Sequence, residues 1–253
     1  MRAAVLMCHA PIVIPAIGRQ RASLCVRTTA AMALAAAHVV KSAPSFVAVL
    51  SPHTPRHERR WMVVQGDVVG GSFGSFGHPE LSVQLPNAAE RVVSALAGIP
   101  LAGVASGPLD HGALVPLWFL AQAGWRGPTA VLGVPWSNTD ARAIGEALAR
   151  TDAAIVASGD MSHKLRPGAP AGHDPRAQVF DDTFVAALRA GDLEGAVSPD
   201  PALRELAAED VVDTTEVLRG ALGPRLPSDP VLAYEGPFGV GYCEAIFPCE
   251  ARP

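Results

Sequence analysis

The chain has 253 residues, of which 49% are hydrophobic, 17% are charged and 6% are aromatic, and its formal net charge is −4. This composition predicts a compact soluble protein with a sizeable core, and it provides neither a basic surface for nucleic acid nor a cationic face for a membrane. The four cysteines form no Cys-x-x-Cys pair, so we expect reduced thiols in a cytoplasmic protein.

The first residues weakly resemble a signal peptide. However, His9, Pro11 and Pro15 interrupt the apolar run, and no clear cleavage site follows. No uninterrupted apolar run is long enough to cross a bilayer, so the sequence predicts no membrane span.

Predicted strands and helices alternate from one end of the chain to the other. In chain order, the pattern predicts a strand at 3–8, a helix at 22–40, strands at 46–50, 61–64 and 82–85, a helix at 87–97, strands at 99–104 and 129–134, a helix at 140–150, a strand at 153–157, helices at 175–190, 201–208 and 211–222, and a strand at 230–235. Such alternation indicates a mainly parallel sheet covered on both faces. We therefore predict a single three-layer α/β/α domain over residues 1–253.

Potential metal ligands and acid/base groups follow several of these strands. His9, His53, His163 and Glu235 each lie at or just beyond a strand end, and His111 begins after a loop. Open α/β sheets place their functional sites at the carboxyl ends of the strands. Two histidines and one carboxylate form a set that leaves open positions on a metal. The spacing alone therefore predicts a metal site.

Five segments make the prediction more specific. They are Cys8-His9-Ala10-Pro11-Ile12-Val13-Ile14-Pro15, Leu50-Ser51-Pro52-His53-Thr54-Pro55-Arg56, Leu109-Asp110-His111-Gly112-Ala113-Leu114-Val115-Pro116-Leu117, Ser158-Gly159-Asp160-Met161-Ser162-His163 and Tyr234-Glu235-Gly236-Pro237-Phe238-Gly239-Val240-Gly241-Tyr242. In this order the segments resemble the class III extradiol ring-cleavage dioxygenases, of the catalytic B-subunit type. The resemblance runs from about residue 5 to residue 247 and is strongest to the branch associated with AMMECR1-type domains and radical-SAM proteins.

The resemblance implies a non-haem Fe(II) site and the cleavage of a catechol-type aromatic ring by dioxygen. His9, His53 and Glu235 would hold the iron. His163 would be the acid/base, which suits an imidazole because it titrates near neutral pH. His111 would line the substrate side, and Asp160 would orient its loop.

Several alternatives remain open at this point. Glu244 is the rival to Glu235 as the carboxylate ligand, and Cys8 is a further candidate although adjacent strand residues face opposite sides. The same set of ligands also suits zinc in a metal-dependent hydrolase. A Memo-like protein that binds a metal or a partner without cleaving a ring is the third interpretation. A homodimer, and an AMMECR1-type or radical-SAM partner, are further expectations, and the sequence does not specify the substrate.

Overall fold

The computed structural model describes residues 1–249, and the last four residues of the predicted domain, 250–253, lie outside this range. The strands are β1 (Ala3–Met7), β2 (Phe46–Ser51), β3 (Trp61–Val64), β4 (Val68–Phe73), β5 (His78–Pro86), β6 (Leu101–Val104), β7 (Thr129–Gly133), β8 (Ala153–Ser158), β9 (Val231–Glu235) and β10 (Tyr242–Phe247). The α-helices are α1 (Pro15–Gly18), α2 (Val26–Lys41), α3 (Ala89–Ala95), α4 (His111–Gln122), α5 (Ala141–Ala149), α6 (Ala177–Arg189), α7 (Leu193–Val197), α8 (Pro201–Ala207) and α9 (Val212–Leu222).

Eight strands form one sheet in the order β6-β3-β7-β2-β8-β1-β10-β9, and β4 and β5 form a separate antiparallel pair. The central strands β7, β2, β8 and β1 are parallel to one another, and β3 is parallel to β6. In contrast, β3 is antiparallel to β7, and β10 is antiparallel to β1 and to β9. The central strands are buried along their whole length, as expected when both faces of a parallel sheet are covered. The predicted mainly parallel sheet is confirmed.

The side chains of each central strand alternate between two cores. Leu6 and Leu50 pack in the core that includes side chains of α3 and α5 to α9. Val5 and Val49 pack in the opposite core, with side chains of α2, α4 and the β4–β5 hairpin. These two cores make the three layers, so the predicted α/β/α architecture is confirmed.

Helix α4 is the main element that the sequence pattern did not predict. It contains Pro116, which is unfavourable inside a helix because it lacks the N–H that would bond to the carbonyl of Gly112. The helix nevertheless begins with a normal cap, since the side chain of Asp110 accepts a hydrogen bond from Ala113 N at 3.1 Å. His111 is the first residue of this helix.

The segment Pro15–Lys41 is long and apolar enough to cross a membrane by length and composition alone. It lies near the N-terminus and is 39% buried, and such a criterion is also met by core helices of soluble proteins and by signal sequences. Within it, Met32 and Val39 of α2 are fully buried in the core beside the sheet. Helix α2, within this segment, therefore forms part of one helical layer of the domain.

Candidate metal centre

Three neighbouring parallel strands, β2, β8 and β1, deliver their following loops to one edge of the sheet. His53 follows β2, Asp160 follows β8 and His9 follows β1. The Nε2 atoms of His9 and His53 lie 3.1 Å apart. The sequence prediction that these two histidines meet is consistent with this placement, since the carboxyl ends of adjacent parallel strands converge.

His111 is the third histidine of the cluster. Its ring stacks on that of His53 at a centroid distance of 4.4 Å, and it lies edge-on to the ring of His9 at 5.4 Å. One potential ligand atom from each of the three residues lies within 4.8 Å of the others, so the group can hold a metal ion. The expectation that His111 lines the substrate side stays a prediction, and the structure brings its ring to the other two histidines.

The carboxylate nearest to this cluster is Asp210, in the loop between α8 and α9. Its Oδ2 lies 3.2 Å from His53 Nε2 and 3.5 Å from His9 Nε2. Its Oδ1 accepts a hydrogen bond from Asp160 N at 2.7 Å, and Asp210 N donates to Asp160 O at 3.1 Å. The loop after β8 therefore orients Asp210 so that one oxygen faces the two histidines. Sequence reasoning missed Asp210, because it lies between two helices and no strand end marks it.

The hydrogen bonds of Ser158 define the tautomer of His9. Ser158 donates its hydroxyl proton to Gly112 O at 2.5 Å, and this is the carbonyl that Pro116 leaves without a helical partner. His9 Nδ1 lies 3.0 Å from the same hydroxyl oxygen. Since the hydroxyl has only one proton, His9 Nδ1 must be the donor, and in the neutral ring Nε2 carries the lone pair. A metal-ligating histidine is commonly held in this way.

Asp110 places His53 and His111 relative to each other. Besides capping α4, its carboxylate accepts hydrogen bonds from Ser51 Oγ and Thr54 Oγ1, both at 2.7 Å, on either side of His53. Gly112, the second residue of α4, allows the start of this helix to approach the His53 loop closely. A Cβ at Gly112 would lie 2.6 Å from Ser51 Oγ and 3.1 Å from His53 Cδ2. The α4 start and the His53 loop therefore pack as one unit.

A chain of ion pairs joins the His53 loop to the Asp210 loop. Arg56 donates to Asp213 Oδ2 at 3.1 Å and to the carbonyls of Val134 and Pro135, both at 2.8 Å. Arg204 donates to Asp213 Oδ1 at 2.6 Å and is also paired with Glu209, the residue before Asp210. Because these groups are largely buried, removing one partner leaves a charge without its counterion.

The carboxylates beside the histidine cluster favour a positive charge there. Burial alone lowers the pKa of His9, but the carboxylates of Asp160 and Asp210 outweigh it and raise this pKa to about 9. Burial raises the pKa of Asp210, whereas the two histidines lower it more strongly, and the net pKa lies well below the ordinary value. Burial and the charges of His9 and His53 lower the pKa of His111 to about 4, so its ring is neutral at physiological pH.

The spacing of these atoms also fits a metal ion. Two ligand atoms bound at about 2.1 Å from one metal lie roughly 3.0 to 3.4 Å apart at octahedral or tetrahedral angles. The three distances among His9 Nε2, His53 Nε2 and Asp210 Oδ2 are 3.1, 3.2 and 3.5 Å. A divalent cation would satisfy the same negative field that otherwise favours a proton on His9.

The structure does not bring Glu235 to the histidines. Its carboxylate accepts hydrogen bonds from the N–H of Thr28 at 2.9 Å and from the hydroxyl of Thr28 at 2.8 Å, near the start of α2. The physical reason lies in the sheet order, because β10 separates β9 from β1. Two strand spacings amount to roughly 10 Å, which is too far for a shared first coordination sphere. Glu235 instead caps a helix.

The rival ligands Glu244 and Cys8 are also outside the three-histidine group. Glu244 is fully buried in β10, and neither of its carboxyl oxygens has a hydrogen-bond partner among residues 1–249. Burial raises the pKa of Glu244 well above its usual value, and the same cause raises that of the neighbouring Cys8. Both groups are therefore harder to ionise than in water. All four cysteines are free thiols.

His163 lies on the loop after β8, beyond Asp160. Its N–H donates to Ala207 O at 2.9 Å, which ties this loop to the end of α8. Its ring is not part of the three-histidine group, but it lies close enough to interact electrostatically with the carboxyl of Asp160. Nδ1 of His163 is buried and has no hydrogen-bond partner among residues 1–249.

The fold and site together define an α/β domain with a cluster of three histidines, able to hold a metal ion, at the carboxyl edge of a parallel sheet. Residues 3–244 match the family model described as the catalytic LigB subunit of aromatic ring-opening dioxygenase. The chain belongs to this family.

Two further comparisons found similar proteins. Protein CA_C1420 of Clostridium acetobutylicum is 28% identical over 260 residues, which cover 94% of this chain and 55% of the relative. The chain thus spans about half the length of that relative. An uncharacterized protein of Escherichia coli K12, JW3007, has a similar fold: its crystal structure matches with a TM-score of 0.59 and 18% sequence identity, covering 98% of this chain and 100% of the other.

Proposed function

We propose that this protein is a non-haem Fe(II)-dependent extradiol dioxygenase, which cleaves a catechol-type aromatic ring with dioxygen. The observation that carries the proposal is the convergence of His9 Nε2, His53 Nε2 and Asp210 Oδ2 within 3.5 Å of one another. Membership in a family of aromatic ring-opening dioxygenases supports the same chemistry. Four expectations from the sequence stay predictions. They are a cytoplasmic location, a single domain over 1–253, a homodimer, and an AMMECR1-type or radical-SAM partner.

His9, His53 and Asp210 would hold the metal. Two histidines and one carboxylate occupy one face of an iron ion and leave positions open for a substrate and for dioxygen. Bound Fe(II) would supply the one-electron chemistry that allows dioxygen to react with a closed-shell aromatic ring. His111 would contact a substrate oxygen at the same centre, or would be a further ligand.

The substrate side of the centre is lined by apolar groups. A cavity of about 350 Å³ is bordered by His53 and Asp110, and by the side chains of Pro55, Val64 and Leu109. His53 is 36% exposed, so its ring is reachable from this cavity. An apolar cleft with a few convergent polar groups suits a flat aromatic ring whose hydroxyls point to the metal centre.

Proton transfer is assigned to His163. A diol must lose protons as it binds to a metal, and cleavage of the oxygen–oxygen bond requires a proton donor. His163 has a buried ring nitrogen without a hydrogen-bond partner in the described chain, and it lies on the loop that also orients Asp210. Asp160 acts as a positioning residue, since it accepts a hydrogen bond from His9 N at 2.9 Å.

A zinc-dependent hydrolase is the second candidate, and one observation favours it. The three convergent histidines can form a three-histidine set, which is a common catalytic zinc site with a fourth position for water. Under this proposal His163 would be the general base for the metal-bound water.

The two proposals predict different outcomes after anaerobic purification and reconstitution. The iron proposal predicts one Fe(II) per chain, and oxygen uptake with catechols that yields a yellow ring-opened product. His163→Ala should retain the metal and lose turnover. His38→Gln, a change on α2 outside the centre, should have wild-type activity. Zinc retention without oxygen uptake, together with ester or amide hydrolysis, would replace the first proposal by the second.

A further inference from the structure

The loop that carries His163 is held along its backbone by five consecutive N–H groups, those of residues 161–165. Four of their acceptors are neutral, namely Gly241 O for Met161 N at 2.8 Å, Ala207 O for His163 N at 2.9 Å, Gly239 O for Leu165 N at 3.0 Å and Ser162 Oγ for Lys164 N at 3.1 Å. The fifth acceptor is the carboxyl of Asp181, to which Ser162 N donates at 2.9 Å. Asp181 is therefore the only ionisable group among these five acceptors.

Asp181 lies on the inner face of α6 and is fully buried. Its Oδ2 accepts a hydrogen bond from the Tyr234 hydroxyl at 2.7 Å, and this hydroxyl accepts one from Gln178 Nε2 at 3.0 Å. Gly241 packs so closely on Asp181 Oδ2 that a Cβ there would overlap it. Asp181 has no salt-bridge partner among residues 1–249. A buried carboxyl without a counterion is costly to keep, unless its hydrogen bonds serve a purpose.

The hydrogen bonds of this group run towards Asp181, as they do to a carboxylate. An ionised carboxyl only accepts hydrogen bonds, whereas a protonated one must donate from one oxygen. A proton on Oδ2 would point to Tyr234 Oη, which already accepts from Gln178, and the Tyr234 hydroxyl proton would lose its acceptor. The arrangement therefore suits the ionised form, in which the bond from Ser162 N is charge-assisted and roughly twice as strong as a neutral one.

The surroundings of Asp181 bring both of its protonation states into the physiological range. Burial raises its pKa to about 7, although the hydrogen bonds from Ser162 and Tyr234 lower it. The carboxyls of Asp182 and Glu209 face the same group and raise this pKa further. The cost of burying the charge applies to the folded state as a whole, and it does not weaken the two hydrogen bonds themselves.

Other titratable groups on the packed elements do not neutralise Asp181. Cys243 of β10 is a buried thiol whose own pKa is raised, mainly by burial. The remaining groups are paired elsewhere or exposed: Arg204 of α8 with Glu209 and Asp213, Glu194 of α7 with Arg219, and Glu205 of α8 at the surface. The hold of Asp181 on the loop therefore depends on its own protonation state.

We propose that Asp181 is a positioning residue for His163, which holds the loop firmly when its carboxyl is ionised and less firmly when it is protonated. This inference rests on the proposed dioxygenase function, in which His163 transfers protons. Ser162 precedes His163 directly, so a weaker bond at Ser162 N changes where the imidazole lies relative to a substrate. A displacement of about 1 Å can cost on the order of 100-fold in rate. We expect a smaller loss here, because the other four N–H groups keep their acceptors.

The first test follows the His163 ring and the Ser162 amide by NMR in the zinc-loaded chain, in which the metal is diamagnetic. Asparagine resembles the protonated acid and cannot ionise. Asp181→Asn should therefore match the wild type at about pH 5.5 and differ from it at about pH 8.5, in both sets of signals. His163→Gln identifies the ring signals. Asp152→Asn, an exposed carboxyl at the other end of β8, is the matched control and should match the wild type throughout.

Tyr234→Phe tests the same mechanism in a second way. It removes a hydrogen bond to the ionised carboxyl, so the titration of the Ser162 amide should move to higher pH. Glu209 also has a pKa of about 7, which burial raises. A pH-dependent change that the wild type and Asp181→Asn share would therefore belong to Glu209.

The second test measures turnover of catechol by the Fe(II)-loaded chain at the same two pH values. We expect kcat of Asp181→Asn to be about tenfold below that of the wild type at about pH 8.5 and within about twofold of it at about pH 5.5, with KM unchanged. If catechol is not cleaved while the NMR difference is present, the positioning role stands without the proposed function. Equal His163 signals in Asp181→Asn and the wild type at both pH values, or a difference that is as large at low pH, would overturn the positioning role whatever the turnover.

Discussion

The hydroxyl of Ser158 donates a hydrogen bond of 2.5 Å to the carbonyl oxygen of Gly112. The carbonyl is available because Pro116, four residues along α4, has no N–H to bond to it. The same hydroxyl must then accept from His9 Nδ1, at 3.0 Å. A proline in one helix therefore determines which nitrogen of a histidine on another loop faces the metal centre.

Ser158→Ala should weaken metal binding. The loss of the acceptor for His9 Nδ1–H releases the ring and its tautomer, and removal of such a partner typically costs about 10- to 100-fold in metal affinity. Competition with a fluorescent chelator measures this change. Ser137→Ala, in an exposed turn, is the matched control. Wild-type affinity in Ser158→Ala would show that Ser158 does not orient His9.

Pro116→Ala should have opposite effects on α4 and on the metal centre. The new N–H can bond to Gly112 O, which favours the helix but competes with Ser158 for that carbonyl. We expect equal or higher thermal stability together with weaker metal binding, measured by calorimetry and by the same chelator competition. If stability and metal affinity both rise, Pro116 has no part in orienting Ser158.

Asp210→Asn and Glu235→Gln should separate the two candidate carboxylate ligands. Asp210→Asn removes the charge that faces His9 and His53, so we expect metal affinity to fall by at least about tenfold. Glu235→Gln should retain the metal and lower the free energy of unfolding by about 1 kcal/mol, because it weakens the cap on α2. Metal analysis and chemical denaturation give the two readouts. The reverse pattern would restore Glu235 as the ligand.

Arg56→Lys should loosen the connection between the His53 and Asp210 loops. Lysine cannot reproduce the fork that contacts Asp213 and the carbonyls of Val134 and Pro135. The expected loss is about 2 to 4 kcal/mol of unfolding free energy, with weaker metal binding. Arg142→Lys, whose partner Glu146 is on the exposed face of α5, should change neither quantity. An unchanged metal affinity in Arg56→Lys would show that the ion pairs contribute to stability alone.

Asp181 should make the folded protein less stable as the pH rises from about 4 to about 7. Burial raises the pKa of Asp181 to about 7, although it accepts hydrogen bonds from Ser162 N and from the Tyr234 hydroxyl. In this interval the folded state retains a proton that the unfolded state has lost, so the free energy of unfolding decreases. Asp181→Asn should flatten this part of the pH profile, measured by urea denaturation. An unchanged slope would exclude Asp181 as its origin.

The sequence predicted the part of the centre that follows from strand ends. His9 and His53 each follow an apolar strand, and parallel strands present their carboxyl ends at the same edge. Glu235 satisfies the same local pattern, but β10 lies between its strand and β1. Strand order is a long-range property, so the pattern could not distinguish a strand beside the centre from one at the border of the sheet.

The sequence by itself determined the α/β class, because alternating apolar runs of strand and helix length have few other ways to bury their surface. It also determined the two histidines that immediately follow central strands, and the resemblance to ring-cleaving dioxygenases. Only the tertiary structure decided which carboxylate faces them. Asp210 reaches the centre through hydrogen bonds to Asp160, in a loop joined by ion pairs to Arg56. These contacts connect residues that are 50 and 157 positions apart in the chain. No local pattern encodes such contacts, since they form only when the layers pack.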